Sequence, residues 1–173
     1  MQIVHQEESP FYRDFVQLAA ELECGPHYDP ANAQHVEWLK HRIATLYLAG
    51  AHAICLYGEK GEPVGFLLLQ HDRGLEGVRC FGKKGTIVMF GLFEGCRSRG
   101  MGVQLLLEAE RYLKEQGGEC LYVDTYAANA GAIRFYVRQG FLPVAYHPGE
   151  NGRGDREYSP PLPVTILFFE NHN

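Results

Sequence analysis

One stretch constrains this chain more than any other. Residues 86–93, TIVMFGLF, form a near-continuous apolar run, and GCRSRGMG then VQLLLEAERYLKEQGG follow within two residues. Such a run suits a central strand buried on both faces. Leu105, Leu106, Ala109, Tyr112 and Leu113 then recur at helical spacing, which makes an amphipathic helix with one core-facing stripe. Gly117-Gly118 ends it, because glycine takes the left-handed conformation at a helix C-terminus without strain. A buried strand, a Gly/Arg loop and a helix in succession require a layered α/β architecture. They also make an anion site. The first turn of a helix exposes unpaired N–H groups and the positive end of its dipole. Gly100 and Gly102 remove side chains that would keep a phosphate off the backbone, and Arg97 and Arg99 supply charge and forked donors. Hydrogen bonds to a charged group are worth about 1.5–3 kcal/mol each, so several converging on a pyrophosphate give micromolar binding.

The rest of the chain supplies partners for that unit. Residues 2–6 read as a first strand. Ser9-Pro10 reads as a helix cap followed by proline at the first helical position, with Phe11, Phe15, Leu18, Ala19 and Leu22 on one face to about Leu22. ECGPHYDP (23–30) breaks that helix, and a second runs from Asn32 to Leu48 on Val36, Leu39, Ile43, Leu46 and Tyr47. Ala51–Tyr57 and Val64–His71 are strands around the turn GEKGEP, with a further strand near Val78–Phe81. Past the central helix come a strand (Cys120–Thr125), a helix (Ala130–Arg138), a turn at Gly140, a strand (Phe141–Tyr146), a Pro/Gly loop (147–163) and a last strand (Val164–Phe169). No repeat or linker divides the chain, so one domain over residues 1–173 is expected.

Two familiar phosphate loops do not fit. Gly95 and Gly100 have Walker A spacing, but Met101 stands where the lysine belongs; a dinucleotide fingerprint needs a glycine where Leu105 stands. The spacing that fits is Arg97-x-x-Gly100-x-Gly102, which resembles the Q/R-x-x-G-x-G/A loop of the GNAT superfamily of acyl-CoA-dependent N-acetyltransferases. A second block, Asn129-Ala130-Gly131-Ala132-Ile133-Arg134-Phe135-Tyr136-Val137-Arg138-Gln139-Gly140-Phe141, resembles that family's N-x-x-A-x-x-F/Y-Y-x-x-x-G-F element. It stands one helix and one strand after the loop, as in the family. The resemblance is strong over residues 86–146 and rests on element order elsewhere.

The resemblance implies a GNAT-like fold: a mixed, mostly antiparallel sheet of about six or seven strands, splayed between two parallel strands and flanked by about four helices. It implies acetyl-CoA as co-substrate, lying where Thr86–Phe93 and Cys120–Thr125 part. The loop Arg97, Ser98, Arg99, Gly100, Met101 and Gly102 would take the pyrophosphate. The pantetheine would pair with the strand edge at Leu92, and the N–H of Phe90 would polarise the thioester carbonyl. Tyr136 would protonate the departing thiolate, and Asn129 would bond the cofactor arm or cap its helix. Some relatives carry a glutamate early in the first cleft strand; Thr86 stands there, so that base is absent. Glu94, Asp124, Tyr126 and His147 are the alternatives, or a water relay through Tyr126. Acceptor selection falls to residues 23–30, with Tyr28 and Asp29, to His27, His35 and Trp38, and to the loop bearing Glu150, Asp155, Glu157 and Tyr158.

The expected activity is transfer of acetyl to a primary amine by direct attack, with a small-molecule acceptor favoured over a protein. A non-catalytic acyl-CoA-binding or regulatory module is the alternative, and an unrelated phosphate-binding α/β protein a third. Sixteen Lys+Arg against 21 Asp+Glu give a net charge of −5, which argues against a nucleic-acid partner. With 46% hydrophobic residues, intrinsic disorder is excluded. No apolar run reaches the ~18 residues of a membrane span. The N-terminal MQIVHQEESP lacks the pattern of a secretory leader, so a cytoplasmic location is expected. Five widely spaced cysteines without a CxxC fit neither a disulfide framework nor a zinc site. They read as free thiols, Cys96 being the one with a catalytic alternative, and no metal is expected. A homodimer is left open.

Overall fold

The computed structural model describes residues 1–24, 29, 31–71, 83–147 and 164–170. Among them, seven strands form one sheet: β1 (Gln2–Gln6), β2 (Ala51–Tyr57), β3 (Pro63–His71), β4 (Lys84–Leu92), β5 (Cys120–Tyr126), β6 (Leu142–His147) and β7 (Val164–Glu170), in the order β1-β2-β3-β4-β5-β7-β6. Every neighbouring pair is antiparallel except β4 and β5. That one parallel pair needs a crossover, which α3 (Met101–Glu115) supplies. The expected mixed, mostly antiparallel sheet is therefore the one found. The expected strand near Val78–Phe81 lies outside the described residues.

Two helical layers cover the sheet. Helices α1 (Glu8–Cys24) and α2 (Ala33–Leu48) bury Phe11, Phe15, Leu18, Leu39, Ile43 and Leu46 against Ala53, Cys55, Phe66, Leu68 and Met89. On the opposite face α3 and α4 (Ala130–Arg138) bury Leu105, Leu106, Ala109, Leu113 and Tyr136 against Ile54, Leu56, Leu67, Leu69, Ile87 and Val123. Each fully buried Phe or Leu contributes roughly 1.5–3 kcal/mol. Helix α1 starts earlier than Ser9-Pro10 implies. Its first residue is Glu8, which places Pro10 third in the helix, still within the turn where a missing N–H costs nothing. Asn32, expected as the first residue of α2, is instead its cap, its side chain accepting from the Gln34 N–H at 3.0 Å.

A polar cluster sits beneath α3, away from the loop that opens it. His5 on β1 and His52 on β2 have ring nitrogens 2.6 Å apart, and the other His5 nitrogen is 2.9 Å from Glu108. Glu108 also pairs with Arg111, while the ring of Tyr112 stacks on His52 at 4.0 Å and meets His71 edge-on at 5.4 Å. Burial, then the neighbouring His5 and His71, push His52 down to about 4. The folded chain thus holds His52 neutral where the unfolded chain begins to protonate it near 6.5. The stabilisation is complete above pH 6.5 and is lost as pH falls towards 4. The slope is at most about 1.4 kcal/mol per pH unit, reduced by solvent reaching half the ring. In urea unfolding, the stability lost between pH 7.5 and 5 should be smaller for His52→Phe, which keeps the stack on Tyr112. An equal loss would show that His52 is not responsible.

Candidate active site

The parallel strands separate within the sheet. Their pairing runs from Lys84↔Cys120 to Ile87↔Val123 and then stops, although β4 continues to Leu92 and β5 to Tyr126. The cause is local. Opposite β3, Leu68 pairs with Met89 and Leu69 with Ile87, which leaves Val88 as an extra residue. Such a bulge bends and twists its strand, and here it carries β4 away from β5. It also changes the alternation of faces: Ile87 packs under α3, Val88 and Met89 both face α1 and α2, and Phe90 and Leu92 return to the α3 side.

Past the bulge, the Phe93 N–H bonds the Val64 carbonyl at 3.0 Å. Backbone polar groups alternate between the two edges of an antiparallel strand. Residues 93 and 91 therefore face β3, and Phe90 and Leu92 turn theirs to the edge that β5 has left. The Leu92 carbonyl accepts a bond there from the Nε of Arg97, 3.1 Å away. This wedge, with one polar strand edge inside it, is where a peptide-like arm can pair with the protein.

The loop beyond β4 is built for backbone donors. A 3-10 turn, Glu94–Cys96, leads to Arg97, and Ser98 (φ 61°) and Gly100 (φ 76°) both take the left-handed conformation. Gly100 is the N-cap of α3 and offers no side-chain cap. The first N–H groups of α3 thus remain available to an anion. Arg97, Ser98, Arg99 and Gly100 are exposed. Met101 packs against the α3-side core. Gly102 is buried, and a Cβ there would lie 3.4 Å from the Phe135 ring and 3.5 Å from that of Phe90. Those are ordinary van der Waals contacts, so packing alone would admit a Cβ at this position.

Tyr136 lies in the same aromatic group, with ring centroids 6.2 Å from Phe90, 5.3 Å from Phe135 and 5.3 Å from Phe141. It is only 5% exposed. Burial, reinforced by the charge of Asp124, raises its phenol far above the usual range. The ring therefore keeps its proton at any physiological pH. The Asn129 side chain accepts from the Ala132 N–H at 3.1 Å. Of the two expected roles, capping α4 is the one its oxygen performs.

Residues 5–141 match the model of the acetyltransferase (GNAT) family. The chain belongs to the GNAT family. Its chemistry is the transfer of an acetyl group from acetyl-CoA to an amine. No curated sequence matches it, but solved structures share the fold. Arabidopsis thaliana NAA60 in complex with a bisubstrate analogue superposes with a TM-score of 0.72 at 17% identity, covering 98% of each chain. The ribosomal-protein-S18-alanine N-acetyltransferase of Escherichia coli gives 0.65 at 17% identity, over 98% of this chain and 94% of that one. A Bacillus subtilis acetyltransferase in complex with CoA gives 0.65 at 17%, covering 99% of both.

This GNAT chain carries Thr86 on β4, 1% exposed and opposite Tyr122, where some members carry glutamate. Among the base candidates, Asp124 and Tyr126 lie on β5 past the point where the strands part. Leu121 and Val123 face α3, so strand alternation puts 124 and 126 on the opposite, α1-side face. Glu94 is exposed on the turn after β4, and His147 ends β6. Among the acceptor residues, Asp29 donates its N–H to the His35 ring at 3.1 Å, and Trp38 is 40% exposed on α2. His27, Tyr28, Glu150, Asp155, Glu157 and Tyr158 lie outside the described residues. Cys55, Cys96 and Cys120 are free thiols, with Cys96 half-buried against the core. Among the described residues no three His, Cys, Asp or Glu are grouped to hold a metal ion, and no helix is long and apolar enough to cross a membrane.

Two glycines that shape the cleft carry no weight in the sequence reading. A Cβ on Gly65 would collide with the Leu92 side chain and the Gly91 carbonyl, and one on Gly91 would lie 2.6 Å from Leu22. Gly65 lets Leu92 lie across β3, and Gly91 lets the end of α1 rest on β4. The available signal was an isolated glycine inside an apolar strand pattern, which marks close approach.

Proposed function

We propose that residues 1–173 form one N-acetyltransferase domain, which acetylates a small-molecule primary amine by direct attack on the thioester of acetyl-CoA. The observation that carries this is the parting of β4 and β5 after Ile87/Val123, with the backbone of Phe90 and Leu92 turned into the wedge. Acetyl-CoA supplies the activated acyl group. The Phe90 N–H polarises the acyl carbonyl, an effect that depends on backbone placement. Leu92 pairs with the pantetheine arm, and the loop from Arg97 to Gly102 holds the pyrophosphate through backbone N–H groups and Arg99. Tyr136 acts at the sulfur. Its raised pKa makes full transfer of its proton to a thiolate, whose thiol titrates near 8.5, strongly uphill. It serves there as a hydrogen-bond donor.

The amine must lose a proton first. For an ordinary amine this costs about 4.6 kcal/mol at pH 7. Asp124 and Tyr126, on the α1-side face of β5, are the groups proposed to relay that proton. A small acceptor is supported by the seat of Leu22 on Gly91, which draws α1 down onto the strand that presents the acyl group. A panel of polyamines, aminoglycosides, amino acids and peptides with free N-termini, scored by CoA release, tests the proposal. Turnover with a small amine is expected. Acetyl-CoA binding without turnover of any amine would favour the non-catalytic module, which the absence of a glutamate at position 86 suits. Turnover confined to peptides would move the acceptor to proteins.

A further inference from the structure

We infer that Arg97 is a positioning residue: its Nε–H holds the Leu92 carbonyl and so fixes the free edge of β4 relative to the loop that opens α3. This rests on the acetyl-CoA reading of the wedge, and it replaces the role of Arg97 as a charge for the phosphates. The bond is 3.1 Å long and closes a short connection that is already tied by its backbone. The Phe93 N–H bonds the Val64 carbonyl, Cys96 bonds Phe93, and Arg97 bonds Glu94. After Arg97 the chain turns through two left-handed residues, Ser98 and Gly100, before α3 begins. On its other side Leu92 rests over Gly65, where no Cβ would fit. Leu92 is therefore fixed by β3 beneath and by Arg97 at the wedge. A carbonyl oxygen has two lone pairs, so Leu92 can keep this bond and accept a second from a bound amide.

The atom that makes the bond separates this role from a charge role. Nε is the innermost guanidinium nitrogen, four bonds from Cα. A glutamine places its Nε2–H donor at that same point of the side chain without any charge. A lysine keeps the charge, carries a methylene there, and holds its ammonium one atom further out. Arg97 is exposed, so both replacements leave the core untouched.

The test is titration calorimetry of the full chain with acetyl-CoA. For Arg97→Gln the Kd is expected to rise by no more than about threefold, and for Arg97→Lys by about tenfold or more. The salt dependence of binding should persist in Arg97→Gln, because the charges at the phosphates remain. Arg97→Lys binding as well as Arg97→Gln, or better, overturns the inference and restores the charge role. Equal losses in both variants also overturn it, since a glutamine donor then rescues nothing. A wild-type chain that binds no acetyl-CoA instead overturns the reading on which the inference rests, without any variant being needed.

Discussion

Replacing Tyr136 with phenylalanine is expected to lower turnover about a hundredfold while leaving the affinity for acetyl-CoA within about twofold. The ring is packed among Phe90, Phe135 and Phe141, and phenylalanine keeps that packing. What is lost is one buried O–H, and a donor aimed at developing charge has its largest effect away from bulk water. The direction of the pKa shift sharpens the expectation. Burial and Asp124 both raise the phenol, so Tyr136 stays protonated well past pH 10. The rate should climb with pH as the amine deprotonates, without an alkaline decline attributable to Tyr136. Steady-state kinetics from pH 6 to 10 on both proteins checks this. Turnover unaffected by the substitution would remove Tyr136 from the chemistry. A decline near pH 8–9 present only in the wild type would show instead that Tyr136 titrates there.

The elements themselves were legible from their apolar runs and the turn residues between them. Ala51–Tyr57 and Ala130–Arg138 fall where the sequence places a strand and a helix, and the order of elements already implied a mixed sheet, with the parallel pair supplied by the family resemblance. The geometry within the wedge was not legible. A near-continuous apolar run carries no alternation to read, so the bulge at Val88 leaves no trace in TIVMFGLF, yet it decides which residues face α3 and which backbone groups face the wedge. Arg97 shows a second limit. Composition marks it as a charge beside a glycine loop, whereas its Nε is engaged with a backbone carbonyl five residues earlier. The motif that carries the family resemblance admits glutamine or arginine there, and what those two side chains share is a donor at one position rather than a charge. Asn129 shows the opposite case, since either of its roles needed the same residue and the structure assigns its oxygen to the cap.

Gly100→Asp should separate stability from binding at the loop. Gly100 has φ 76°, and a Cβ there would meet nothing within 4 Å. The substitution therefore causes no clash and costs only the left-handed strain of a non-glycine residue, about 1 kcal/mol and least for Asp and Asn. The N-cap bonds of an aspartate offset much of that cost, so the melting temperature should move by no more than a few degrees. The effect on acetyl-CoA should be far larger. A carboxylate at the N-cap of α3 sits on the positive end of the helix and takes up the N–H groups that an anion would use. It also opposes a pyrophosphate at close range, in a loop whose net charge it changes by one unit. Affinity should fall at least about a hundredfold, the loss of two charge-assisted bonds. Gly100→Ala carries the same backbone strain without the charge and should bind within about fivefold of the wild type. The defect of Gly100→Asp should also shrink in high salt, because the repulsion is exposed to solvent and screened there. If Gly100→Asp bound acetyl-CoA as tightly as Gly100→Ala, the anion would have to lie elsewhere, and the N-terminus of α3 would be only the end of a core helix.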